Sequence, residues 1–411
     1  MIHTASEADA GLAAELRAAM VDGLAADGRI MSTAVERAFR AVPRHVFVPP
    51  GTSLEDAYGV DKAPITKRDE NGVHLSSVSA PWLQARMIAQ AGIAPGMRVL
   101  EIGGGGYNAS LLAEVTGENG LVVSVDIDPE VTAWASAALK AAGYEDRVMV
   151  VTADGERGEP SNACYDAIVV TAGAWDIPPA WLAQLADGGT LVLPLRMNTI
   201  ARSLALRREG DHLVSTSAEV CGFVEMQGEG ARAERIFSLP DPRGGHVALR
   251  FDEQIPDEPG LLDGALATGP VMAWSGVGIG DGVSFADLHL WLAGFLPGFC
   301  RVAASDGTEL AADGVCKAWF PYGGVQGDSF ACLALRRSGD VEFEFGARAY
   351  GQHAEGAAEA LVTQIREWDQ RGRDLPESAF TFWPTPTTPP TRREPTGVFR
   401  KNHGIVTISW P

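Results

Sequence analysis

Four consecutive glycines, Gly103–Gly106, stand between the apolar segment Arg98–Ile102 and a segment with helical patterning. Glycines at such a strand-to-helix corner let the backbone approach a ligand closely, and they place that ligand at the positive end of the helix. Alone, the cluster is explained equally well by tight packing. Two acids change the balance. Asp126 ends the next apolar segment, about 20 residues on, where a carboxylate can accept both hydroxyls of a ribose. Asp154 ends the third, in Ala153-Asp154-Gly155, where a carboxylate can accept from the exocyclic amine of adenine. Each Asp alone reads as a turn or cap residue. Glycines, an acid and an acid at three successive strand ends together describe a nucleoside pocket.

The kind of nucleoside follows from Glu101. Dinucleotide sites use a GxGxxG turn to seat a pyrophosphate. Here the run is GGGGY, with Glu101 two positions before it. A carboxylate is unsuited to a pyrophosphate and suited to a sulfonium or an α-ammonium group. S-adenosyl-L-methionine, leaving S-adenosyl-L-homocysteine as product, is therefore favoured over NAD. The candidate donor-binding residues are Glu101, Gly103, Gly104, Gly105, Tyr107, Asp126, Ile127, Asp154 and Gly155.

The elements that must position these residues alternate. Strands are expected at 98–102, 121–126, 148–152, 165–171 and 189–194, with helices at 109–115, 129–142 and 179–185 between them, and a hairpin at 203–208 and 212–220. This rhythm predicts a doubly wound, mainly parallel sheet, which binds ligands outside the carboxyl ends of its strands. Two helices are expected over 5–42, capped in the second case by Ser32 or Thr33, and another over 81–92 with Pro81 in its first turn. Residues 43–80 read as irregular. The polar, glycine-rich stretch 226–246 marks a boundary: residues 1–228 form one domain, 229–245 a linker and 246–411 an α+β domain. In the latter, 329–336 and 341–345 read as paired strands, 354–371 as an amphipathic helix, 384–395 as a proline-rich connector and 404–410 as a strand.

Composition narrows the partners. The formal net charge of −20 offers no footprint for nucleic acid or an anionic membrane. Five cysteines, Cys164, Cys221, Cys300, Cys316 and Cys332, include no CxxC pair and no zinc-like spacing, so no metal is expected and free thiols in a reducing compartment are. The N-terminus lacks the basic-then-apolar pattern of a signal peptide, which places the protein in the cytoplasm.

Residues 1–228 resemble the protein-L-isoaspartate O-methyltransferase family. The resemblance rests on PRHVFVPP (43–50), AYGVDKAPIT (57–66), SSVSAPWLQARM (76–87), VLEIGGGGYNASLLAEVTG (99–117), VVSVDIDPEV (122–131), YDAIVVTAGAWDIPPAWLAQLADGGTLVLPL (165–195) and CGFVEMQG (221–228), in the family's order and spacing. It implies a Rossmann-like class I methyltransferase fold. It also implies that Ser77 and Ser79 line the acceptor carboxylate site, with Val78, Ala80 and Trp82 as substrate-binding neighbours. Read without the resemblance, the two serines are loop or capping residues. The glycine loop is one residue shorter than the family's usual run, Trp82 stands where a histidine is usual, and a further domain follows. In these features the chain resembles the methyltransferases found with ribosomally made, modified peptides (lanthipeptides, lasso peptides, graspetides). That subfamily methylates a normal aspartate of a cyclised precursor, whose ester collapses to an aspartimide that persists or hydrolyses to isoaspartate.

The chemistry so implied needs no general base, because a free Asp side chain, with a pKa of about 3.9, is already ionised at neutral pH. Catalysis is then by proximity and alignment. A peptide is the expected partner, and the second domain is expected to supply selectivity. Isoaspartyl repair, a nicotinamide oxidoreductase and a non-catalytic nucleoside-binding protein are the competing readings.

Overall fold

A computed structural model describes residues 7–252, 256, 258–312, 322–339, 342–373, 378–387, 389 and 396–410. Cys316 and most of the 384–395 connector lie outside them. The chain opens with α1 (Glu7–Ala26) and α2 (Thr33–Ala41). Ser32 caps α2, its Oγ accepting from Val35 N at 3.2 Å. The stretch read as irregular contains a short helix, α3 (Leu54–Tyr58), and an antiparallel pair, β1 (Ile65–Arg68) and β2 (His74–Ser77). Asp69 turns that pair by accepting from Asn71 N and Val73 N. Four-residue strands with no buried face leave no apolar alternation, so periodicity could not reveal them.

Then follow α4 (Pro81–Ala91), β3 (Arg98–Ile102), α5 (Tyr107–Thr116), β4 (Leu121–Asp126), α6 (Pro129–Ala142), β5 (Val148–Thr152), β6 (Tyr165–Val170), α7 (Pro179–Gln184), β7 (Leu185–Met197), β8 (Ile200–Glu209) and β9 (His212–Val220). The second half adds β10 (Arg235–Pro240), β11 (His246–Phe251), β12 (Val271–Gly280), α8 (Ala286–Phe295), β13 (Phe299–Ala304), α9 (Glu309–Ala312), β14 (Tyr322–Gln326), β15 (Ser329–Arg337), β16 (Glu342–Gly351), α10 (Ala354–Arg371), β17 (Ala379–Pro384), β18 (Thr396–Arg400) and β19 (Gly404–Ser409).

Besides the β1–β2 pair, two sheets form. The larger runs β18-β19-β17-β9-β8-β7-β6-β3-β4-β5, and the other runs β10-β11-β13-β14-β15-β16-β12. In the larger sheet β7, β6, β3, β4 and β5 are parallel, as the alternation of strand and helix requires, and β8, β9 and β17–β19 continue it antiparallel. The strand order reverses between β3 and β6, which puts the ligand crevice at the ends of those two strands.

The pairing departs from a division at residue 246 in two ways. β10 falls in the expected linker; it is an edge strand with mostly exposed side chains, so it carries no hydrophobic signature. At the other end, β17–β19 return to the larger sheet, where Thr381 and Phe382 pair with Val214 and Leu213 of β9. One buried cluster accordingly spans both sheets, joining Leu100, Ile168 and Leu204 to Trp291, Leu361, Phe380 and Trp410. No helix among the described residues is long and apolar enough to cross a membrane.

Candidate active site

A cavity of about 580 Å³ opens where the β3 and β6 ends meet. Thr171, just past β6, ties these ends together: its N–H donates to Ile102 O (2.7 Å) and its hydroxyl donates to Gly103 O (2.5 Å). Gly103 sits at φ +94°, the left-handed region that glycine tolerates. A Cβ on Gly104 would overlap Ser124 Oγ. The loop is thus pressed onto β4; of its glycines only Gly103 lines the cavity, beside Ile102, and Gly104 does not.

The opposite walls come from three places. Val125 and Asp126 end β4 and Ile127 and Asp128 follow it, Gly155 follows β5, and Leu75, Ser76 and Ser77 close the cavity from β2. Asp126 is partly buried, and that burial pushes its pKa up to about 6; Asp128 N donates to its Oδ1 at 2.9 Å and opposes the rise. Lys67 of β1 reaches across, donating to Asp128 and Glu130 at 2.6 Å each, and so straps the β1–β2 pair to the start of α6.

Several expected site residues lie elsewhere. Glu101 was expected to face the cationic end of the donor. It is fully buried under the loop, and both its oxygens are engaged: Ser124 Oγ donates to Oε2 (2.5 Å) and Asn108 Nδ2 donates to Oε1 (2.8 Å). Burial raises its pKa to about 7 against those two bonds. Its place in the structure is a brace between β3, β4 and α5. Asp154 also works on the protein itself, accepting from Glu156 N (3.0 Å) and Glu229 N (2.8 Å), which folds the 226–230 segment against the β5 end. Tyr107 is buried among Phe39 and Phe47, and Gly105 faces a neighbouring cavity with Pro49 and Trp134. Val78 and Ala80 point into the protein, and Trp82 packs beneath the Arg29 guanidinium 4.7 Å away. Ser79 is half-buried beside Ser77 but is not part of the cavity wall.

The loop carrying the serines is held by Arg44. This side chain is fully buried and donates to the carbonyls of Ala57 (2.7 Å), Lys62 (3.1 Å) and Val78 (3.2 Å) and to Gln84 Oε1 (3.0 Å). Burial lowers its pKa to about 10. Sequence reasoning missed Thr171, Ala172 and the Val224–Gln227 wall. The signal for the first two was available: they follow the fourth parallel strand, at the switch point. The second arises from chain return; CGFVEMQG (221–228) marked the stretch as family-like but not as a cavity wall.

The switch-point crevice, a Gly104 position without room for a Cβ and the carboxylate at the β4 end fit a nucleoside-bearing donor, S-adenosylmethionine included. The family model for protein-L-isoaspartate(D-aspartate) O-methyltransferase matches residues 15–230, and the chain belongs to this family of S-adenosylmethionine-dependent carboxyl O-methyltransferases. A protein-L-isoaspartate O-methyltransferase of Hyperthermus butylicus is 37% identical over 224 residues, covering 52% of this chain and 90% of that one. The Thermotoga maritima protein of the same name is 36% identical over 201 residues, 48% of this chain and 62% of that one. Among solved structures, a protein-L-isoaspartate O-methyltransferase aligns over 89% of this chain and 96% of its own at 22% identity, with a TM-score of 0.51. That likeness of fold extends well past residue 230, so the second sheet is not in itself a departure from proteins of that name.

Proposed function

We propose that this enzyme esterifies an aspartyl side chain in a modified precursor peptide, and that the ester closes to an aspartimide, which persists or hydrolyses to isoaspartate. The observation that carries the acceptor assignment is that Ser76 and Ser77 wall the same cavity as Gly103 and Asp126. Hydroxyl donors and the donor-binding crevice share one space. S-adenosylmethionine, when bound, supplies a methyl group activated by its positive sulfur.

The chain's own residues hold and align. The Gly103 backbone and Ile127 flank the nucleoside, and Asp126 accepts from its ribose hydroxyls. Ser77 donates to the acceptor carboxylate, with Ser79 keeping the loop polar beside it. These bonds orient an oxygen that is already ionised, so proximity carries the rate. Glu101 acts indirectly, by fixing the loop. The shortened glycine run, shared with the peptide-modifying methyltransferases that the sequence resembles, supports a normal aspartate as acceptor. Ring closure needs only attack of the following backbone nitrogen on the ester carbonyl, with methanol leaving.

Repair of isoaspartyl residues is the second reading. It is favoured by the similarity, over most of their length, to relatives named for that activity. One peptide sequence offered in aspartyl and isoaspartyl forms separates the two: ester formation on the aspartyl form supports the first, and ester on the isoaspartyl form alone supports repair.

A further inference from the structure

Beside the donor cavity lies a second one, of about 950 Å³, between the two sheets. Glu225 belongs to both walls, Thr171 and Ala172 to the first and Gly173 to the second. The partition is a single pairing of chain: Gly173 N donates to Val224 O (2.7 Å) and Met226 N donates to Gly173 O (3.2 Å). A peptide whose reacting residue sits in the donor cavity has a neighbouring room within reach of its next residues.

The charges in that room are unevenly matched. Arg196 is paired with Asp252 (2.5 Å), Glu234 (2.6 Å) and Glu225, and Arg301 with Glu234 (3.1 Å). Arg202 on β8 is different. It is only 6% exposed, and its guanidinium donates to two backbone carbonyls, Ala201 O (3.0 Å) and Ala286 O (2.7 Å). No carboxylate pairs with it among the described residues; the nearby Asp287 acts on it only through its field. A buried cation left with only two carbonyl acceptors is costly, in contrast to Arg44 with its four acceptors, and an incoming carboxylate would supply the missing charge.

Two further polar atoms in this wall are buried without a partner, His289 Nε2 and Thr199 Oγ1. Burial and the Arg202 charge hold the His289 pKa near 3, so the ring is neutral, and in its Nε2–H tautomer it can donate to a carboxylate. Thr199 occupies φ +67° in the two-residue turn between β7 and β8, a conformation that β-branched residues avoid. One cation and two uncommitted hydrogen-bonding groups therefore converge on a room that adjoins the methyl-donor crevice.

We infer that this cavity is a carboxylate subsite: Arg202, with His289 and Thr199, holds a second carboxylate of the peptide whose first carboxylate is methylated. The inference rests on a peptide being the substrate, as proposed above. It supplies selectivity that a single acceptor carboxylate lacks, since a peptide without the second acid leaves Arg202 unpaired. The second carboxylate comes either from the peptide's C-terminus or from an acidic side chain.

Calorimetric titration of the full-length protein saturated with S-adenosylhomocysteine tests this without turnover. Four hexapeptides share one aspartyl residue: a free C-terminal acid and its amide, and an amide bearing Glu two residues after the aspartyl and its Gln counterpart. The wild type is expected to bind at least one acid tenfold tighter than its neutral twin, and the pair that shows the advantage identifies the source. In Arg202→Met the advantage is expected to fall below twofold with S-adenosylhomocysteine affinity intact. If that variant loses the nucleoside, His289→Leu serves instead, with at least a threefold loss of the advantage expected. An absent advantage in the wild type, or one that survives both substitutions, overturns the subsite. An advantage in a protein that methylates neither aspartyl nor isoaspartyl peptide overturns the function proposed above and leaves the subsite standing.

Discussion

Glu101 and Asp126 are two carboxyls whose surroundings hold them above the ordinary range, at about 7 and about 6, and both shifts arise mainly from burial. The sign of the consequence is fixed. Between pH 4 and 7 the folded chain carries more protons on these groups than the unfolded chain does, so their contribution to stability is greatest at low pH and is lost as pH rises toward 7. Glu101→Gln keeps the shape and suits the same partners, since its amide can donate to Ser124 and accept from Asn108. Its thermal midpoint relative to wild type is expected to climb between pH 5 and pH 8, and calorimetric scans read this directly. Donor binding adds a second pH effect. With ribose hydroxyls donating to ionised Asp126, as proposed, affinity for S-adenosylhomocysteine is expected to weaken below about pH 6, and Asp126→Asn is expected to bind weakly with a flat pH profile. At this scale the sequence placed Glu101 before the glycines but did not show its hydrogen-bond partners. Its place before the glycines was visible, whereas its engagement by Ser124, 23 positions later, depends on β3 and β4 lying side by side.

Among the elements, the glycine loop and the serine loop are fixed by different means. The first is clamped sterically between β4 and β6. Gly104→Ala forces a Cβ into Ser124 and is expected to cost about 1–3 kcal/mol of stability by overpacking, with at least tenfold weaker nucleoside binding. The serine loop is held by hydrogen bonds from Arg44. Arg44→Met leaves the carbonyls of Ala57, Lys62 and Val78 without their donor and is expected to destabilise by about 3 kcal/mol or more in urea titrations, with a larger rise in peptide KM than fall in kcat. The β7–β8 turn carries the opposite opportunity: Thr199→Asn relieves a left-handed β-branched residue and is expected to raise stability by about 1 kcal/mol. The long periodic elements were legible in sequence. Strands β3, β4 and β5 and helix α6 begin and end where apolar runs, Pro129 and Gly143 indicate. The short pair β1–β2 and the edge strand β10 were not, because β1 and β2 have no fully buried face to alternate with an exposed one and β10 is mostly exposed.

The whole molecule is less divisible than its sequence suggests. Strands β17–β19 belong to the sheet that holds the donor site, and Trp410 packs 4.9 Å from Trp291 of α8. Cutting the chain after residue 245 strips β9 of β17, one of its two partners, and removes part of the shared core. The truncated protein is expected to aggregate or to unfold without cooperativity, as size-exclusion and near-UV dichroism would reveal. Loss of activity on such a truncation would therefore say nothing about peptide selection, and point substitutions in the cavity between the sheets are the sharper probe. The return of the C-terminus was illegible because pairing between residues 165 or more positions apart leaves no local pattern; Phe380 N, for example, donates to Ser215 Oγ.

Methyl transfer to a peptide pair tests the central claim most directly. Full-length protein, S-adenosylmethionine and one peptide sequence in aspartyl and isoaspartyl forms are incubated and followed by mass spectrometry, with alkaline treatment to distinguish esters from stable methylation. A base-labile methyl ester on a side-chain carboxyl is expected, followed by loss of methanol to aspartimide, with both abolished by Asp126→Asn. Nucleoside binding without a base-labile methyl group on either peptide, or methylation at nitrogen, would contradict it.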